Sequence, residues 1–189
     1  MSRTFHFNIN IPIKFVPMEM YPEGTIINNN IELKVDDEKI KKINSELFNW
    51  LNSFGIDVEG VRYFESIPFT KYKIHSDSAD RIAVKLNFVY NSYNSKMLWF
   101  DVIKTPKDST FTNVSNESIP TYEFEDLKEL YSTITDTHCL IDGGVIHQLV
   151  NSDNHGINRK CFSLKLTWLD KEKKLTWNDA VEILKDYID

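Results

Sequence analysis

The chain predicts a mostly β fold, an antiparallel barrel or double sheet with helices packed outside it, and three observations carry that prediction. Short runs of alternating polarity recur along its length, strands and helices do not take turns as they would around a parallel sheet, and turn residues punctuate the runs. With 41% hydrophobic and 26% charged residues in 189 positions, one sizeable core is expected, so residues 1–189 are read as a single domain.

The elements follow in order. Phe5, Phe7, Ile9, Ile11 and Ile13 alternate with polar neighbours, which predicts a half-buried strand from Phe5 to Phe15, with Pro12 near its end or at a sheet edge. Ile31 to Val35 predicts a short strand. Asp36 or Asp37 then caps an outer helix near 37–54, whose Ile40, Ile43, Leu47, Leu51 and Phe54 recur at three and four and which Gly55 stops. Lys39, Lys41 and Lys42 form its solvated face. Val61 to Glu65 alternates weakly, and KYKIHSD follows over 71–77. IAVKLNFVY (82–90) and MLWFDVI (97–103) predict two more strands. Residues 104–121 form a polar loop, and Leu127, Leu130, Tyr131 and Ile134 have helical spacing.

From Thr137 to Trp168 the sequence predicts three short strands, broken at Gly143-Gly144 and again near Gly156. In the last one Phe162, Leu164, Leu166 and Trp168 share one face, while Arg159, Cys161 and Ser163 share the other. A guanidinium, a thiol and a hydroxyl on a strand face between apolar runs require a polar purpose. His147, on a strand that would run antiparallel beside it, would then look into the same cavity as Arg159. A last helix near 177–188 begins at Thr176, with Asp179 at capping-box spacing.

Composition removes several function classes. A formal charge of -6 disfavours broad binding to nucleic-acid backbones. No segment has the length and apolarity of a membrane span, and the start lacks the pattern of an export signal, so a cytoplasmic protein is expected. Cys139 and Cys161 are accordingly read as reduced core thiols.

His75 and Asp77 lie two apart, so on an extended segment both side chains leave one face. Imidazole and carboxylate ligate divalent first-row metals, and with His147 they would complete a two-His-one-carboxylate set that leaves coordination positions open. Lys85 and Asn87 share a face on the next strand. The residues alone leave open a metal-dependent oxygenase, a cupin-like metal protein with no use for Arg159, and a non-catalytic binding barrel in which His75 and Asp77 are simply hydrogen-bonded. His138 and His155 add only a weak zinc pattern with His147.

The ordered series His75-x-Asp77, His147, Arg159 and Ser163 resembles the iron and 2-oxoglutarate-dependent oxygenases. GGVIHQLVN followed by RKCFSLKL is especially similar to the distal-His and Arg strands of the aspartyl/asparaginyl and prolyl hydroxylase-like members. The resemblance spans roughly His75 to Leu166; its His-to-Arg spacing is slightly long, and Ser163 stands four after the Arg rather than two. It implies a double-stranded β-helix (jelly-roll, cupin-like) barrel, in which His75, Asp77 and His147 bind Fe(II) and Arg159 holds the distal carboxylate of 2-oxoglutarate. Lys85, Asn87 and Ser163 are further candidates for the co-substrate, with a snorkelling surface lysine as the plain alternative for Lys85. Asn151 is either an orienting partner of a ligand or a turn residue, and Tyr72, Trp99, Phe100 and the 104–121 loop are candidate walls. The implied reaction decarboxylates the keto acid to succinate and hydroxylates a protein side chain, a peptide or a small amino-acid-like molecule. Neither nucleic acid nor a membrane is an expected partner.

Overall fold

A computed structural model describes residues 4–19, 25–27, 30–104, 110–112, 118–152 and 155–189. In chain order its strands are β1 (His6–Asn8), β2 (Thr25–Ile27), β3 (Asn30–Lys34), β4 (Ile56–Ser66), β5 (Thr70–Lys71), β6 (Val84–Tyr90), β7 (Ser95–Val102), β8 (Thr110–Thr112), β9 (Ser118–Pro120), β10 (Leu127–Ile134), β11 (Cys139–Asp142), β12 (His147–Asn151) and β13 (Arg159–Trp168). The helices are α1 (Asp37–Ile43), α2 (Ser45–Ser53) and α3 (Trp177–Leu184). A seven-stranded sheet runs β1-β11-β6-β13-β4-β3-β2, a four-stranded sheet runs β10-β7-β12-β5, and β8 pairs with β9. Every pairing is antiparallel. The chain is therefore mostly β, as expected. Among the described residues the two large sheets stay open, with β1 and β2 ending one and β10 and β5 the other, so of the expected barrel or double sheet the structure has two sheets and no closed barrel.

Alternation in β13 divides the molecule. Phe162, Leu164 and Leu166 point to the main core, where they meet Leu47, Leu51 and Ala180 of the helices. Each such buried side chain contributes roughly 1.5–3 kcal/mol of burial. Arg159, Cys161 and Ser163 point the other way, toward the four-stranded sheet. β6, at the middle of the larger sheet, is covered on both faces and buried from Val84 to Val89, which carries Lys85 and Asn87 inside. A smaller cluster of Phe5, Met97, Trp99, Cys139 and Ile141 fills the space between the sheets. Both cysteines are buried free thiols.

Several expectations are corrected. The outer helix is two helices: buried Asn44 interrupts it, accepting from Val16 N at 2.6 Å and donating to Val16 O at 3.1 Å, and this leaves Ile43 exposed. Asp36 provides the cap, and Thr176 with Asp179 forms the capping box of α3. The predicted strand from Phe5 to Phe15 shortens to β1, because its ladder partner β11 is four residues long and beyond it the segment makes a single bridge, Ile9 with Ile188; Phe15 packs in the core. The helical spacing over 127–134 belongs to a strand. β10 has a bulge between Glu129 and Tyr131, so Leu127 joins Phe100 on one face and Tyr131 meets Trp99 on the other. Apolar residues on two faces of a bulged strand imitate a period of three and four. Of the 104–121 loop, β8 and β9 form a hairpin, and residues 105–109 and 113–117 lie outside the described residues. No helix among the described residues is long and apolar enough to cross a membrane.

Asn151 proves to be neither a turn residue nor a partner of His147. It is buried, with Nδ2 donating to Ser66 O and Ile67 O at 3.1 Å each and Oδ1 accepting from Ser95 Oγ at 3.3 Å. One amide thus ties β12 in the smaller sheet to the end of β4 in the larger. Asn151→Ala strands buried carbonyls and is expected to lower stability by about 2–3 kcal/mol, a fall of roughly 4–12 °C in Tm measured by calorimetry.

Candidate metal centre

Beyond β5 the chain stays extended to His75, which forms an antiparallel bridge with His147. His75 N donates to His147 O at 3.0 Å and His147 N donates to His75 O at 2.8 Å. Residues that exchange both bonds project their side chains from the same face as close neighbours, and the two rings lie 4.7 Å apart between centroids. Asp77, two residues on, returns to that face, held by its N–H on Gly143 O at 2.9 Å. The three residues offer ligand atoms that all lie within 4.8 Å of one another.

Protonation in this cluster follows from the backbone. His75 Nδ1 sits 2.8 Å from Lys73 O, and His147 Nδ1 sits 2.7 Å from Val145 O. A carbonyl only accepts, so each Nδ1 carries a hydrogen, which leaves Nε2 as the ligand atom of each ring. Those Nε2 atoms face Asp77, at 3.5 Å from Oδ1 for His75 and 3.4 Å from Oδ2 for His147. Burial lowers the pKa of His147 to about 4 despite the attraction of Asp77, so it is neutral at pH 7. Burial opposes the charge on Asp77, but Lys85, His147 and His75 outweigh it and hold the carboxyl well below its ordinary range. Asp77 Oδ2 is buried with no hydrogen-bond partner among the described residues. Two ring nitrogens and a carboxylate that converge this closely can hold a cation. Two imidazoles and a carboxylate fit Fe(II) or Zn(II), with carbonyl acceptors orienting both rings from behind.

All the sequence-predicted site residues line one cleft between the sheets. His75, Asp77 and His147 border it with Lys85, Asn87, Arg159 and Ser163. Lys85 is no surface lysine: it is buried, and its Nζ lies 2.6 Å from Asp77 Oδ1. Arg159 is 3% exposed and its Nε has no hydrogen-bond partner among the described residues. The strands carrying His147 and Arg159 are not neighbours, contrary to expectation. β12 belongs to the four-stranded sheet and β13 to the seven-stranded one, so the two side chains meet across the gap. Tyr72 lines the cleft, whereas Trp99 and Phe100 pack in apolar clusters. His138 accepts from Val89 N at 3.1 Å and His155 packs on Tyr93, so neither joins the cluster.

Gly143 is a site residue that spacing did not reveal. A Cβ there would lie 2.4 Å from Asp77 Oδ2. The only sequence signal was the Gly143-Gly144 pair itself, which reads equally well as a turn. Gly143→Ala is expected to displace the carboxylate and weaken Zn(II) affinity at least tenfold by calorimetric titration. Gly60→Ala, where a Cβ meets nothing within 4 Å, leaves it unchanged. Metal-free stability is expected to be pH-dependent. His6 and His147 both have pKa values lowered to about 4, chiefly by burial, so the unfolded chain takes up protons first as pH falls. Their contribution is complete above about pH 6.5, is lost progressively toward pH 4, and is reduced in His6→Gln, as urea unfolding at stepped pH will register.

No family model matches the chain, and no curated protein matches it. Among solved structures it is similar to the X-ray structure of E. coli ycfD, with a TM-score of 0.44 and 12% sequence identity, over 88% of this chain and 40% of that one. The chain thus spans two fifths of that protein's length.

Proposed function

We propose that this chain is an Fe(II)- and 2-oxoglutarate-dependent oxygenase that hydroxylates a small amino-acid-like molecule, a peptide or a protein side chain. One observation carries the reading: a two-His-one-carboxylate cluster and a buried arginine with an unpartnered N–H face the same cleft. A metal protein acting without a keto acid needs the cluster and has no use for the arginine. The path of the chain supports a double-stranded β-helix. β4, β6, β11 and β13 lie in one sheet and β5, β7, β10 and β12 in the other, so the chain crosses the gap repeatedly.

In this reading His75 Nε2, Asp77 and His147 Nε2 would hold Fe(II) beside the cleft. Arg159 receives the distal carboxylate of 2-oxoglutarate, since a planar guanidinium pairs with a carboxylate through two N–H donors and stays charged when buried. Tyr72 borders the same space, and burial keeps its phenol protonated, so it is a donor there. Bound iron supplies the chemistry: dioxygen and the keto acid give succinate, carbon dioxide and one oxygen atom inserted into a substrate C–H bond. Phe64, Met97, Ile141 and Leu149 keep the cleft wall apolar and limit the entry of water.

Anaerobic addition of Fe(II) and 2-oxoglutarate is expected to produce a metal-to-ligand charge-transfer band that is absent in His147→Ala. Arg159→Ala is expected to weaken keto-acid binding at least tenfold, the effect of losing a charge-assisted hydrogen bond of about 1.5–3 kcal/mol. Metal binding with no response to the keto acid would overturn the reading.

A further inference from the structure

A second cavity, of about 250 Å³, adjoins the metal cleft and shares Asp77, Lys85 and Ser163 with it. That volume is near the lower end of small-molecule sites, which begin at about 300 Å³. Its character differs from that of the inner cleft: Lys34, Asp37, Glu59, Arg62 and Lys165 also line it. Strand register explains the placement. Lys34, Arg62, Ser163 and Asn87 stand opposite one another across β3, β4, β13 and β6, and Gly60, Lys165 and Lys85 form the next row. In that second row Gly60 has no side chain, and a Cβ built there meets nothing within 4 Å. The room beside the metal cluster is thus partly the missing side chain of one strand residue.

Arg62 is posed from behind. Its Nη1 lies 3.1 Å from Oε1 of Glu32, which is 5% exposed on the same face of the sheet. Among the described residues around the outer cavity, the cations Lys34, Arg62, Lys85 and Lys165 stand with the acids Asp37, Glu59, Asp77 and Glu32. A dication at His75, Asp77 and His147, with Arg159 and a doubly charged keto acid in the inner cleft, adds one net positive charge. A low-dielectric cleft favours an occupant that cancels it.

We infer that this outer cavity is the substrate site, and that Arg62 and Lys34 bind the carboxylate of an acidic, amino-acid-like substrate over Gly60. The inference rests on the oxygenase reading for the charge of the inner cleft. It narrows the substrate to one bearing a side-chain carboxylate, which glutamate carries and glutamine lacks, with the oxidised C–H bond between that carboxylate and the metal. Glu32 acts as a positioning residue for Arg62.

The test uses the full chain, labelled with nitrogen-15, loaded with Zn(II) as a redox-inert ion and saturated with 2-oxoglutarate so that Arg159 is occupied. L-glutamate, L-glutamine and a glutamate-containing tripeptide are titrated in, and amide shifts are followed by NMR. The expected result is that glutamate or the tripeptide shifts Gly60, Arg62 and Ser163, with at least tenfold weaker binding of glutamine; the tighter of the two shows whether the acid is free or carried on a peptide. Arg62→Gln and Lys34→Gln should each weaken binding of the acid at least tenfold, and Gly60→Leu should abolish it by filling the space. All three should keep 2-oxoglutarate affinity within twofold. Equal binding of acid and amide, no binding of either, or an unaffected Arg62→Gln overturns the inference. So does a loss of keto-acid affinity in Arg62→Gln with none in Arg159→Ala, which would put the keto acid in the outer cavity. Failure of the oxygenase reading looks different, as the Zn(II)-loaded chain would then not respond to 2-oxoglutarate before any amino acid is added.

Discussion

Two backbone hydrogen bonds, exchanged between His75 and His147, are the constraint on which the candidate centre depends. They place two residues 72 positions apart in the sequence side by side and aim both rings at one point. Each ring is then oriented by the same local device, an Nδ1 contact with the carbonyl two residues earlier, Lys73 for His75 and Val145 for His147. Period-two geometry brings Asp77 back to the same face, and the absent side chain of Gly143 leaves room for its carboxylate.

Burying that carboxylate raises an electrostatic demand that the larger sheet meets. Lys85 reaches Asp77 from β6, and Arg159 faces the same cleft from β13. An ion pair in a desolvated space is retained only where geometry and further partners compensate for lost hydration. Here the compensation comes from opposite sheets, so the cleft depends on how the two sheets are held together. Asn151 joins them by donating to Ser66 O and Ile67 O, and the Trp99 cluster fills the gap beside the cleft. The apolar core that stabilises the larger sheet lies on its other face, against the helices. Stability and polar chemistry thus occupy opposite faces of the same strands, which lets β6 and β13 carry Lys85, Asn87, Arg159 and Ser163 without breaking the main core.

Some of this was decided by the amino-acid order itself. Alternation in β13 separated Phe162, Leu164 and Leu166 from Arg159, Cys161 and Ser163, and the spacing of His75 and Asp77 put them on one face, because a strand's side-chain period is a local property of the backbone. The capping box at Thr176 was legible for the same reason. Tertiary structure alone decided the rest. The strand over 127–134 exists because β7 offers it a ladder, and its bulge concealed the period from which it would have been recognised. That His147 and Arg159 face each other across a gap, that Lys85 is buried on Asp77, and that Glu32, Arg62 and Gly60 flank the metal cluster all depend on which strands pair and which sheets oppose. Those relations join residues far apart along the chain, and no local period carries them.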